Sequence, residues 1–293
     1  MNLIISVFQV VAPVFLLAGI GFVWVKVGSE YRIEFVTQLA MTLSVPCLIF
    51  TALMKTEINS AVLQNVVLAS VFCYLLITVA AFALVKAFGL SIRTFLSPIV
   101  FGNTGNIGLP VCLFAFGTTG FDFAVVIFAV MAIYNFTFGV WVISGRGSPI
   151  KVLKEPLVPA VLLGTVFLIN GWQTPRFLTN TLELIGQMAI PLMLITLGVA
   201  IGRMKRSGLT RVFWPAVWKF LVCLICALLV VWLFNLPRIA SAILILQVTT
   251  PVAVTSYLLA EKYGLDAESV AALVIVSTLL SVMFIPICLA FLI

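Results

Sequence analysis

Apolar residues run along this chain in ten long blocks, with neither the alternation of a strand nor the one-sided stripe of a surface helix. The blocks cover roughly 3–25, 35–54, 60–85, 94–116, 121–143, 156–171, 177–201, 212–235, 238–260 and 268–292. A helix rises 1.5 Å per residue, so about 20 apolar residues span the hydrocarbon core of a bilayer. The pattern predicts an all-α integral membrane protein with ten transmembrane helices. Connections are short. The longest, residues 144–155, carries Gly145, Gly147, Pro149 and three basic residues and reads as the joint between two halves. The expected organisation is one half over 1–145, a cytoplasmic linker over 146–155 and a second half over 156–293.

Block four contains a stretch foreign to a regular membrane helix, Phe101-Gly-Asn-Thr-Gly-Asn-Ile-Gly-Leu-Pro110. Its glycines and proline loosen the helix, and Asn103 and Asn106 place side-chain amides at its centre. Unpaired backbone polar groups are costly in hydrocarbon, so non-helical backbone survives there only against protein or a wet cavity. Such a break near the midplane marks a transporter's binding site; the plainer alternative is a kinked packing helix. A weak internal repeat supports the first reading. Val45-Pro46-Cys-Leu-Ile-Phe-Thr51 in block two matches Ile190-Pro191-Leu-Met-Leu-Ile-Thr196 in block seven, aligning Pro46 with Pro191 and Thr51 with Thr196. Asn106-Ile-Gly-Leu-Pro110 in block four matches Gln247-Val-Thr-Thr-Pro251 in block nine. An offset of five spans turns the second copy upside down. The expected fold is therefore two inverted five-helix repeats with two broken, crossing helices.

Each break leaves a half-helix starting near the membrane centre, expected around Ile107 and Val252. A helix N-terminus presents unpaired N–H groups and partial positive charge, a ready seat for a carboxylate. Pro110 and Pro251 would then fall in a first turn, where a missing N–H costs nothing. Asn106 and Gln247 offer amides, Thr249 and Thr250 hydroxyls, and Asn103 can brace the unwound backbone. The same groups could instead satisfy one another. Asn135 in block five is a further cavity candidate, or a helix–helix hydrogen bond. Glu183 lies about two turns inside block seven and is a candidate proton carrier, unless its carboxylate reaches the interface. Lys219, between Trp218 and Phe220, is expected to snorkel to the cytoplasmic surface.

Charge and composition narrow the class. Only 9% of residues are charged, and the mean hydropathy is +1.30. The net charge of +7 comes from bases in loops, which points to lipid headgroups and orientation rather than nucleic acid. Of sixteen Lys and Arg, thirteen lie in or beside the odd-numbered loops; only Lys55, Arg176 and Arg238 lie in the even ones. Both termini are therefore expected outside the cytoplasm. The first block lacks the pattern of a cleavable signal and reads as a membrane helix. Cys223-x-x-Cys226 sits in an apolar block of a chain without histidine, so packing accounts for it better than metal or redox chemistry. No metal or other cofactor is expected. Membrane transferases need acidic clusters and zinc peptidases need His motifs, so an enzyme is not expected. The chain shows neither the charge rings nor the repeated carbonyl filter of a channel; a non-transporting sensor of the same fold is an alternative.

Val45–Phe50 (V-P-x-L-I-F), Gly102–Pro110 (G-N-x-G-N-x-G-L-P), Pro191–Gly198 (P-L-M-L-I-T-L-G), Thr250–Ser256 (T-P-x-A-x-x-S) and Ser277–Pro286 (S-T-L-x-S-x-x-x-I-P) resemble the auxin efflux carrier family, across essentially the whole chain. The resemblance implies a fold similar to bile-acid symporters and sodium/proton antiporters, with a scaffold bundle and a bundle holding the broken helices. It implies export or exchange of small organic anions by alternating access, auxin in plants and dicarboxylates such as malate or malonate in bacterial members. Asn106, Pro110, Gln247 and Pro251 would flank the carboxylate. Coupled uptake by proton or sodium is the alternative. Plant members have a long central loop and a charged pair inside span three; here the loop is short and span three offers Ser70, Cys73, Tyr74 and Thr78. The short chain is of bacterial type, expected in the inner membrane, with the anion and the bilayer as partners and a homodimer as the candidate assembly.

Overall fold

The computed structural model describes residues 3–56, 58–145, 156–204 and 208–292. The proposed linker 146–155, with Arg146, Lys151 and Lys154, and the loop bases Lys205 and Arg206 lie outside the described residues. In chain order the helices are α1 (Leu3–Lys26), α2 (Ile33–Lys55), α3 (Ser60–Ala87), α4 (Ile92–Val100), α5 (Thr104–Ser144), α6 (Leu157–Asn170), α7 (Arg176–Arg203), α8 (Leu209–Phe234), α9 (Arg238–Val248), α10 (Val254–Lys262) and α11 (Ala267–Leu292). Among the described residues there is no β-strand. Seven helices are long and apolar enough to cross a bilayer, and α6 and α9 are shorter apolar helices.

Three features shape these helices. A π-turn at Ala40–Ser44 lies just ahead of Pro46 in α2, and another at Thr104–Gly108 lies just ahead of Pro110 in α5. A proline inside a regular helix clashes with the carbonyl four residues back, and widening the preceding turn relieves that clash. In α7, the helix is interrupted at Met188, three residues before Pro191. The 41 residues of α5 would span about 60 Å if straight, twice a bilayer core. Gly117, with φ 64 and ψ −155, divides α5 in a conformation open to glycine.

The helices pack as two sets. In one, α1 lies along α7, and α2 lies between α6 and the first part of α7. In the other, α8 packs on α3, α9 and α11, while α9 packs on α5. Each set draws helices from both ends of the chain. The outer faces carry large apolar side chains such as Phe8, Ile169, Trp232 and Phe291, the last 86% exposed. A continuous apolar exterior of this kind is a lipid-facing surface.

Candidate functional site

The first break falls where α4 stops. Phe101 turns extended, and Asn103 (φ −80, ψ 53) caps α5: its Oδ1 accepts the Asn106 N–H at 3.3 Å. The Asn103 carbonyl accepts the Ile107 and Gly108 N–H groups at 3.1 and 3.2 Å, closing the π-turn. Asn103 is thus a brace, and α5 begins at Thr104 rather than near Ile107. Pro110 consequently lies beyond the first turn and depends on the π-turn for its fit.

The second break runs through residues 249–253, and α10 begins at Val254 rather than Val252. Pro251 is not in a helical first turn but in this non-helical segment. The Thr249 and Thr250 hydroxyls both donate to carbonyls at the end of α9, to Ile245 and Gln247, each at 2.7 Å. The Val252 N–H donates to Ser277 Oγ on α11 at 3.0 Å.

The two breaks touch. Gly102 and Val252 form an antiparallel bridge, and the Asn103 N–H donates to the Pro251 carbonyl at 2.6 Å. The approach leaves no room for a side chain at Gly102, where a Cβ would collide with Thr250 Oγ1 and crowd the Thr250 carbonyl; one on Gly108 would have to push Gln247 Oε1 aside. Gln247 is fully buried behind Gly108, with Nε2 donating to the Ala124 carbonyl at 3.4 Å. Asn103 Nδ2, Thr104 Oγ1 and Gln247 Oε1 are buried with no partner among the described residues. Unsatisfied buried polar atoms are rare in folded proteins, and a cluster of them calls for water or a polar ligand.

Two cavities flank the breaks, at opposite ends of α2 and between the two helix sets. The smaller, about 30 Å³, is lined by Asn106 together with Thr37, Met41, Met193, Thr196 and Thr255. Val254, the first residue of α10, also lines it, so the starts of both half-helices open there. Tyr31 closes this end, its hydroxyl 2.7 Å from Thr196 Oγ1 and its carbonyl accepting from Arg203 at 2.5 Å. The larger cavity, about 970 Å³, is lined by Thr51, Lys55, Thr118, Asp122, Glu183 and Gln187 among others. Lys55 and Glu183 form an ion pair in its wall, and Asp122 accepts from Thr56 Oγ1 at 3.1 Å.

Of the predicted residues, Asn106 and Thr196 meet in the small cavity and Thr51 and Glu183 in the large one. Gln247, Thr249, Thr250 and Pro251 surround the break without lining either. Asn135 stands in a π-turn against Gly139 and Phe101, away from both cavities. Pro46 and Pro191 fall at the helix irregularities noted above. Thr37, Thr255 and Tyr31 were not anticipated, because helix-face hydroxyls carry no signal until the partner face is known.

Lys219 corrects an expectation. It does not snorkel: it is 1% exposed, and its ammonium donates to the Thr250 carbonyl in the second break. The physical reason is depth. Since α8 starts at Leu209, Lys219 lies ten residues in, about 15 Å along the axis and enclosed by α9 and α11.

A family model described as membrane transport protein matches residues 6–155 and 148–289. The chain belongs to that family. It is the auxin-efflux-carrier-like family that the motifs of spans two, four, seven and nine resemble. Similar proteins include an uncharacterized transporter of Methanocaldococcus jannaschii, 24% identical over 279 residues, covering 88% of this chain and 89% of that one. A second uncharacterized transporter, from Methanothermobacter thermautotrophicus, is 23% identical over 298 residues, covering 95% and 96%. The chain is therefore a multi-pass membrane transporter, and its membrane-length helices and touching breaks are to be read in that light.

Proposed function

We propose that this transporter moves small organic anions by alternating access, with the substrate carboxylate seated at the cavity that Asn106 shares with the start of α10. One observation carries the reading: the hydrogen bond from Asn103 to Pro251 holds two interrupted helices so that both half-helix N-termini open on one cavity. Those termini supply N–H groups and partial positive charge. Asn106 supplies an amide, and Thr37, Thr196 and Thr255 supply hydroxyls. Among the described residues no carboxylate is buried to repel an anion.

At about 30 Å³ the cavity holds a water but not a carboxylic acid. Its walls come from both helix sets, so parting them enlarges it. The sets rock about the breaks, and the large cavity and the small one are the two access routes in their open and closed forms. Thr51 and Thr196, the paired threonines of the repeat, line opposite routes, which supports ten spans arranged as two inverted repeats. With the lysine- and arginine-rich loops inside the cell, the large cavity faces outward and both termini lie outside a bacterial inner membrane. Removing buried Lys219 from the count leaves twelve bases against three, so the bias holds.

An inside-negative potential favours anion export by about 2.3 kcal/mol per charge per 100 mV. Glu183, ion-paired with Lys55 in the wall of the large cavity, lies on the route of the anion. If it also carries protons, Glu183→Gln changes the pH profile of flux; an unchanged profile removes it from coupling.

Counter-flow of labelled malate, malonate and indole acetate in proteoliposomes tests the function. Trans-stimulated exchange by at least one carboxylate is expected, with Asn106→Ala lowering it more than tenfold in protein that still melts cooperatively. Binding without flux identifies a sensor, and flux without trans-stimulation identifies a channel.

A further inference from the structure

Lys219 is the one buried charged residue among the described residues, and its surroundings are those of a cation site. The ammonium bonds the Thr250 carbonyl at the frayed end of α9. Helix C-termini gather partial negative charge. Unwound carbonyls of broken transporter helices are where coupling cations are held. The small space around this contact, about 10 Å³, is lined by Thr249, Thr250, Ser277 and Ser281, an all-oxygen set of polar groups suited to a hard cation. Phe220 and Phe284, stacked with centroids 3.9 Å apart, line the same space and add an apolar wall.

The charge balance explains why a cation belongs here. Two half-helix C-termini and two N-termini converge at the touching breaks. A positive charge fixed on the carbonyl side offsets the negative ends and leaves the N-terminal side free to attract an anion. The ammonium is tethered by its own side chain, so the protein need not recruit that charge from solution.

We propose that Lys219 occupies the cation subsite of the second break in place of a dissolved metal ion, so that transport needs no sodium, and that shortening Lys219 opens this subsite to Na⁺. The proposal rests on the transport reading for its meaning, but sodium binding can be read without a transport assay.

Thermal melting of the purified full-length protein in NaCl and in choline chloride of equal ionic strength tests it. The wild type should melt at the same temperature in both salts. Lys219→Ala, and Lys219→Ser with its added hydroxyl, should melt lower in choline and rise saturably with sodium, by roughly 5 °C. Lys219→Arg, which keeps the charge, should stay indifferent to sodium. Sodium-specific stabilisation of the wild type overturns the proposal. So does a folded Lys219→Ala that ignores sodium, or failure of both shortened variants to fold in either salt. In proteoliposomes, wild-type exchange that disappears without sodium also overturns it. Absence of exchange in both salts counts against the anion-transport reading instead, and leaves the melting result to decide the cation site.

Discussion

The two breaks reach one arrangement by different chemistry. The first is held by its own sequence: Asn103 caps the helix beginning at Thr104, with its side chain on Asn106 and its carbonyl on Ile107 and Gly108. The second turns its threonine hydroxyls back onto the last carbonyls of α9 but also leans on distant groups, Ser277 on the Val252 N–H and Lys219 on the Thr250 carbonyl, 25 and 31 residues away in sequence. A self-capped break can form as soon as its own turn forms. A break braced at a distance is complete only once α8 and α11 have packed. The difference predicts that the second break is the more fragile of the two, and that damage to it propagates through the packing of α8, α9 and α11.

The largest effect is expected where the two meet. Gly102→Val places a side chain on Thr250 and should separate the breaks, costing about 3 kcal/mol and abolishing exchange; wild-type melting and flux would show that the contact is dispensable. Ser277→Ala should come next, because it leaves the buried Val252 N–H unpaired, at about 2 kcal/mol by thermal melting. Asn103→Ala removes the local cap and should cost about 1 kcal/mol, with Asn103→Asp restoring much of it. An Asn103 effect larger than that of Ser277 would reverse the ranking of the breaks. The smallest concerns Asp266, which caps α11 outside the membrane and serves as a reference for an ordinary cap. Hydrogen bonds from the Ser269 hydroxyl and N–H hold its carboxyl below the usual carboxylate range. A depressed pKa stabilises above the unfolded value, near 4, and that stability is lost as pH falls through the folded value. Asp266→Ala should therefore lower stability by less than about 1 kcal/mol at pH 7, with the gap to wild type narrowing below about pH 4.

The same asymmetry decides what could be read from the chain. The apolar blocks fall on helices, since length and hydropathy are local properties, but blocks four and five are divided as a short α4 and a single long α5, and block nine is split into α9 and α10. The first break was legible as Gly102, Asn103 and Asn106 inside an apolar run. The second was found through its likeness to the first, but its supports were not. Ser277 looks like any small residue of a membrane helix, and Lys219 like a base near a helix end. Their roles appear only when α8 and α11 are brought against residues 249–253. Asn106 and Gln247 align in sequence yet differ in surroundings, one half-buried on a cavity and the other sealed behind Gly108, because local pattern does not say which face a neighbour will cover.

The π-turns ahead of Pro46 and Pro110 each hold one residue more than a regular turn needs. A single-residue deletion there leaves the remainder of the helix unrotated but closes the wide turn that Pro46 or Pro110 needs, whereas a deletion between Pro46 and Thr51 would swing the later side chains by about 100° and carry Thr51 and Lys55 off the wall of the large cavity.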